Sequence, residues 1–295
     1  MNGNGENQKL RMAPADSAET TARRLEKEQQ ALNRQRESNL EDSLAPFRVG
    51  SVSYLNAVPL TRGIENEVLF AVPSKLAELL RKNELDAALV SVVEVLFTGD
   101  YDILDGVAIA SLGEVKSVIL AHRRPLAEVK EVYCDTASLT SVQLMRVLLA
   151  EQGLRPELKP LASYDFSNLP DFTLLIGDRA LDLNLGPHDG LEIFDLGAAW
   201  YELTGLPFVY AVWALRRGLD TEPLRRQLRD AHEFGQETLE HIIRTRTEYT
   251  EDFRKDYLGW HIHYHLGTDE KRGIARFIEL LQKHGLGTIH PPRFI

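Results

Sequence analysis

Three runs of nearly unbroken apolar character constrain this chain more than any other feature of it. Residues 86–90 (DAALV), 172–176 (FTLLI) and 206–215 (LPFVYAVWAL) show no alternation of polar and apolar positions. That is the mark of a strand covered on both faces. Between such runs lie segments with helical spacing, such as 75–83 with Leu76, Leu79 and Leu80 on one face. Further strands are predicted at 47–51, 68–72 and 101–110, and a second helix at 92–97. Strands alternating with amphipathic helices predict an α/β fold whose sheet is parallel, with right-handed crossovers.

The pattern then restarts. A strand at 115–122 leads past Pro125 into strands at 129–134, 158–161, 172–176 and 192–196, with helices at 142–152 and 179–185. The apolar strand 206–215 follows. From Thr221 the periodicity is helical, predicting one long helix over 223–245 and two more over 252–266 and 269–284. The chain has 295 residues, enough for one large domain or two of roughly 100–200 residues. Two α/β lobes are expected, with the chain crossing near 113–117 and returning near 206–211. Lobe 1 then comprises 47–114 and 208–295, lobe 2 comprises 115–207, and a ligand would sit in the cleft between them. Residues 1–46 are rich in Arg, Glu, Gln, Asn and Ser and poor in large apolar residues. They are expected to form a mobile charged tail or a loosely docked helix.

Bulk properties narrow the function. Hydrophobic content of 43 % and charged content of 26 % are ordinary for a soluble globular protein. A net charge of −10 argues against nucleic acid or an acidic membrane as the main partner, while leaving room for a small anion. The single cysteine, Cys134, permits no intrachain disulfide and suits a reducing compartment. No apolar run reaches the roughly 18–20 residues that span a bilayer. The first residues lack the apolar core of a secretory signal, so a cytoplasmic location is expected. The oligomeric state is open.

The candidate site residues cluster where strands give way to helices. In FRVGSVSYLNAVPL (47–60), a buried strand breaks into Ser53-Tyr54-Leu55-Asn56, and Pro59 suits a helix start. The same unit of strand, hydroxyl-rich turn and helix recurs at Ser91 and over 136–141, which includes Thr136, Ser138, Thr140 and Ser141. Free backbone N–H groups at helix starts, with hydroxyls beside them, suit an anionic ligand. Ser111 ends another strand, and Asp178 follows FTLLIG at the expected cleft. Each has a plainer reading. Asn56 could form an Asx turn or cap a helix, and Ser91, Thr140, Ser141 and Asp178 could be caps alone. Trp200, Tyr201 and Trp213 read as core or lobe-interface aromatics. His261 and His265 would share a helix face, but no Glu follows His261 and no third ligand is evident. No metal or cofactor site is therefore expected. Phosphate-binding glycine loops, a GxSxG elbow and a Cys–His nucleophile pattern are absent.

Taken in order, GSVSYLNAVPL, DAALVSVVEVL, DTASLTSVQLMRVLL, LLIGDRAL and DLGAAWYELTGLPFVYAVW resemble the chorismate dehydratases of the futalosine route to menaquinone. The likeness runs from about Arg48 to Gly285. It implies a two-lobed periplasmic-binding-protein-like fold of the type II class, with the ligand cleft between lobes. It implies a cofactor-free hydro-lyase that takes chorismate to 3-[(1-carboxyvinyl)oxy]benzoate. It places Asn56 and Ser91 in the active site. On that reading Asn56 orients the substrate and its leaving hydroxyl, and Ser91 holds a carboxylate or that hydroxyl. Thr140 and Ser141 bind a carboxylate, with Ser53, Tyr54, Ser111 and Ser138 as further contacts. The proton acceptor is either Asp178 or the enolpyruvyl carboxylate of chorismate itself. Two rivals stay open: the sister 1,4-dihydroxy-6-naphthoate synthase, whose first loop differs from Ser53-Tyr54-Leu55-Asn56, and a non-catalytic small-anion-binding protein of the same fold.

Overall fold

The apolar runs become the inner strands of two sheets. The computed structural model describes residues 23, 25–33, 44–135, 137–187 and 190–295. In order, the first pass comprises a helix α1 (25–33), β1 (Val49–Ser51), β2 (Val68–Phe70), α2 (Pro73–Arg81), β3 (Ala87–Ser91), α3 (Val92–Thr98) and β4 (Tyr101–Ser111). The second pass comprises β5 (Val118–His122), β6 (Glu131–Cys134), α4 (Leu139–Glu151), β7 (Glu157–Pro160), β8 (Phe172–Ile176), α5 (Gly177–Leu185), β9 (Glu192–Asp195) and α6 (Leu196–Thr204). The return comprises β10 (Phe208–Arg216), α7 (Glu222–Glu237), α8 (Leu239–Thr245), α9 (Glu251–Asp256), β11 (His263–Leu266) and α10 (Thr268–Lys283). Every residue of β3, β5 and β8 is buried, as strands sandwiched between helix layers must be.

The six-stranded sheet has the order β11-β4-β10-β3-β1-β2, and the five-stranded sheet β7-β6-β8-β5-β9. One order underlies both: second strand, first, third, the strand arriving from the other sheet, then the fourth. Only part of each sheet is parallel, in β2-β1-β3 and β7-β6-β8. The expected parallel sheet is thus corrected to a mixed one. β10 lies antiparallel between β3 and β4, and β5 antiparallel between β8 and β9. The cause is the chain path. A strand that enters from the neighbouring lobe starts at the cleft and runs away from it, against strands that end there.

Two C-terminal expectations are also corrected. The long helix over 223–245 is broken at Thr238, whose φ of −108° leaves the helical region. The buried Thr238 hydroxyl donates to the Phe234 carbonyl at 2.6 Å, competing with the backbone ladder. The helix over 252–266 ends after α9, passes through a π-helical turn (Tyr257–His261) and becomes β11. Ile262, Tyr264 and Leu266 are buried, which is the period of two of a strand, not the period of a helix. His261 and His265 consequently share no helix face.

The lobes are joined by aromatic packing. Trp200 of α6 meets Phe208 of β10 edge-on at 5.1 Å between centroids and Phe277 of α10 at 5.9 Å. Its indole N–H donates to the Pro207 carbonyl. Trp213 is buried in the core, but Tyr201 is exposed, against expectation. α6 buries Leu196, Gly197 and Trp200, and Tyr201 lies a further 100° round the helix. Within the segment 1–46, α1 buries Ala31, and the buried Glu28 carboxylate accepts from Arg244 of α8. No helix among the described residues is long and apolar enough to cross a membrane.

Candidate active site

The strand ends of both sheets face one pocket, in which the space that water can reach is about 70 Å³. Its apolar walls come from Val52, Leu89, Val90, Ile109, Val118 and Ile176. Its polar groups are Tyr54, Asn56, Ser91, Ser117, Ser138, Ser141 and Tyr210. No charged side chain lines it among the described residues. Such a surface offers apolar contact to a ring and O–H and N–H donors to polar groups attached to it.

Asn56 is the best-oriented of these groups. After β1 the chain turns at Tyr54 into a short 3-10 helix of two turns (Leu55–Leu60), with Asn56 inside it and Pro59 further along. Gly235 of α7 packs on this short helix so closely that a Cβ there would lie 1.8 Å from the Pro59 carbonyl oxygen. Asn56 therefore caps nothing. Its Nδ2 donates to the Tyr257 hydroxyl at 3.1 Å, and its Oδ1 is buried with no hydrogen-bond partner among the described residues. Tyr257 belongs to the π-helical turn, stacks on Phe253 at 5.6 Å and lies near the Ser117 hydroxyl. Burial holds its phenol well above the ordinary tyrosine range, so it stays an O–H.

On the facing side the hydroxyls form one network between lobes. Ser91 Oγ lies 3.2 Å from Ser138 Oγ and accepts from the Thr140 N–H. Thr140 Oγ1 in turn accepts from the Val93 N–H at 3.1 Å, across the seam between α3 and α4. Ser91 does not cap its own helix; its hydroxyl serves the other lobe. Ser138 caps α4 by accepting from the Ser141 N–H, and Ser141 Oγ donates to it at 3.1 Å.

The structure gathers some of the predicted site residues and leaves others outside. Tyr54, Asn56, Ser91, Ser138 and Ser141 line the pocket. Ser53 points to solvent. Ser111 is buried behind the wall, donating to the Gly113 carbonyl at 3.1 Å and accepting from Tyr210, which does reach the pocket. Thr140 is fully buried, and its hydroxyl oxygen already serves as the acceptor for Val93. Asp178 is not part of the lining, and its carboxylate lies near the backbone N–H of Leu55. Burial raises the Asp178 carboxyl above its usual value. Thr136 lies outside the described residues.

Tyr54 rests on Gly177, the first residue of α5. A Cβ at Gly177 would lie 3.2 Å from the ring, and its φ of +59° favours glycine. Burial, with Asp135 and Asp178 nearby, pushes the Tyr54 phenol up to about 12. The sequence reading missed Ser117, Tyr210 and Tyr257. Ser117 could have been found, since it stands at the crossing point just before an apolar strand. Tyr257 carries no local signal, because 201 residues separate it from Asn56.

The crossing itself is pinned by Asp195, the cap of α6. Its carboxylate accepts from the N–H groups of Ala198 at 2.9 Å, Val115 at 3.1 Å and Lys116 at 2.7 Å. Lys116 holds a φ of +62°, a conformation that a non-glycine residue needs support to keep.

A family described as menaquinone biosynthesis matches residues 47–283 of this chain. A chorismate dehydratase of Thermus thermophilus is 33 % identical over 267 residues, which is 81 % of this chain and 96 % of the relative. One of Campylobacter jejuni is 29 % identical over 230 residues, or 77 % of this chain and 89 % of the relative. Among solved structures, a protein of Archaeoglobus fulgidus superposes with a TM-score of 0.64 at 17 % identity, over 81 % of this chain and 98 % of its own. The alkanesulfonate-binding protein SsuA of Xanthomonas axonopodis pv. citri gives 0.60 at 15 % identity, over 81 % and 93 %. These two likenesses establish the fold, a two-lobed periplasmic-binding-protein-like architecture.

Proposed function

The chain belongs to the menaquinone biosynthesis family, and from that membership and its pocket we propose that it dehydrates chorismate. The observation that carries this reading is the state of Asn56. Its amide is held by Tyr257, and its oxygen is buried without a partner among the described residues, in the wall of the interlobe pocket. A buried acceptor left empty is costly, and a substrate hydroxyl would fill it.

Chorismate brings two carboxylates, a ring hydroxyl and an enolpyruvyl ether. The ring lies against Val90, Ile109 and Ile176, and Asn56 Oδ1 accepts from the ring hydroxyl. One carboxylate takes the hydroxyls of Ser138 and Ser141 and the positive end of α4. Thr140, named for this role from the sequence, leaves it to those two because it is fully buried and does not line the pocket. The proton on the ether-bearing ring carbon leaves first. Its electron pair spreads through the ring diene toward the ring carboxylate, where neutral donors stabilise it. The pair then returns to form the new ring double bond as the neighbouring C–O bond breaks. The departing hydroxide takes up the abstracted proton and leaves as water. The product is 3-[(1-carboxyvinyl)oxy]benzoate, and aromatisation makes the step irreversible.

The proton acceptor in this reading is the enolpyruvyl carboxylate, which is tethered beside the proton. Asp178 is not among the residues that line the pocket, which supports this reading. The test is to incubate the protein with chorismate and follow aromatic product by mass and ultraviolet absorbance. Turnover to the benzoate is expected. Intact chorismate, bound or unbound, overturns the proposal. Asp178→Asn should keep turnover within about tenfold; a loss of several orders of magnitude would make Asp178 the base.

A further inference from the structure

The segment at 261–265 has a use that its pairing as a strand reveals. β11 runs antiparallel to β4 at the edge of the six-stranded sheet. Successive strand residues face opposite ways, so His263 and His265 share the face turned from the core while Tyr264 is buried. The chain then enters α10, whose first turn carries Glu270, only 3 % exposed. One ligand atom from each of His263, His265 and Glu270 lies within 4.8 Å of the others. His265 Nε2 is 3.1 Å from Glu270 Oε1. Two ligands on a tetrahedral zinc ion, with bonds of about 2.0–2.2 Å, stand roughly 3.4 Å apart. The His265 side chain is 62 % exposed, so its ring can adjust to an ion.

Two further observations point to a ligand. His263 Nδ1 is buried and has no hydrogen-bond partner among the described residues, and a cation in the cluster would satisfy it. The second oxygen of Glu270 accepts from the Gly267 N–H at 2.9 Å. That outer hydrogen bond fixes the carboxylate, as it does in metal sites whose ligands are held from behind. A groove lined by Thr204, Pro207, Asp269 and Arg272 leads from the cluster to solvent.

We propose that His263, His265 and Glu270 bind one divalent transition-metal ion, of the zinc, cobalt or nickel kind, with a coordination position open to that groove. Two imidazoles and one carboxylate select such ions over magnesium and calcium, which prefer all-oxygen sets. None of the three residues lines the interlobe pocket, so the ion is separate from the dehydration site. It would brace β11 against the start of α10, just after the π-helical turn that carries Tyr257.

The probe is Co²⁺, titrated into full-length protein freed of metal by a chelator. Visible d–d absorption that saturates at one equivalent and is displaced by Zn²⁺ is expected, together with a metal-dependent rise in Tm. His265→Ala, at an exposed position where folding is not at risk, should weaken binding at least tenfold and abolish the rise in Tm. Its turnover of chorismate should be unchanged. Glu270→Gln should weaken binding similarly. Absence of a saturating band overturns the proposal. So does equal affinity in His265→Ala, which would place the metal on others of the nine histidines.

Discussion

Asn56 and Tyr257 form a pair in which each member makes sense only with the other. Tyr257 takes the N–H of Asn56 and leaves its buried oxygen without a partner among the described residues, and Tyr257 is itself placed by stacking on Phe253. Tyr257→Phe keeps the ring and removes the acceptor. We expect kcat to fall by about 10–100-fold, roughly 1.4–2.7 kcal/mol, with KM and Tm nearly unchanged. Steady-state kinetics beside a thermal melt checks this; a fall in Tm with no change in kcat would make the contact purely structural. At this scale the sequence was informative where a side chain sits at the end of an apolar run. Asn56, Ser91, Ser138 and Ser141 all do so, and all reach the pocket. It was silent where a side chain arrives from far along the chain, as Tyr257 does. Thr140 and Ser111 are buried behind the lining, and no local pattern distinguishes a hydroxyl in the wall from one behind it.

Among elements, the crossings between sheets carry the most consequence. β5 and β10 each start at the cleft, and the first of them is held at its entry by the Asp195 carboxylate. Asp195→Asn removes the charge that three backbone N–H groups point at and leaves Lys116 in its unfavourable conformation with weaker support. The expected cost is about 2 kcal/mol, read as a Tm lower by several degrees and a reduced denaturation midpoint with unchanged m-value. A variant as stable as the parent would show that the crossing is held by packing alone. The strands themselves were legible because a strand covered on both faces leaves a continuous apolar run, as in β3 and β8. Their directions were not. No local pattern tells that β10 runs against β3, because direction is set by where the chain comes from. β11 was hidden for a different reason. Its alternation spans only four residues and follows directly on a helical stretch, so the two periods overlap.

Over the whole molecule, the restart of the pattern after Pro125 corresponds to a second sheet with the strand order of the first. The C-terminus is tied back to this frame by Asp102, which accepts from Arg217 and Arg293 at 2.7 Å each. Burial alone would raise the Asp102 carboxyl, but the two guanidinium groups outweigh it and hold it below the usual carboxylate range. A carboxyl depressed in the native state binds fewer protons there than in the unfolded chain. Its contribution is therefore complete above the unfolded value of about 3.9 and is lost as pH falls below it, through the native value. Asp102→Asn should lower stability at neutral pH by about 1 kcal/mol, since both arginines are partly exposed, and should flatten the fall in stability below about pH 4. Denaturant melts between pH 3 and 7 measure both; curves that stay parallel to the parent would exclude Asp102 from the acid transition. A last consequence follows from the pocket lining, which among the described residues would hold the proposed dianion without a cation, in a chain of net charge −10. Long-range fields then repel the incoming substrate while nothing within the cleft depends on counter-ions. Added salt should speed capture instead of slowing it. kcat/KM is expected to climb as the Debye length shrinks from about 30 Å to about 8 Å, the reverse of an arginine-clamped enzyme.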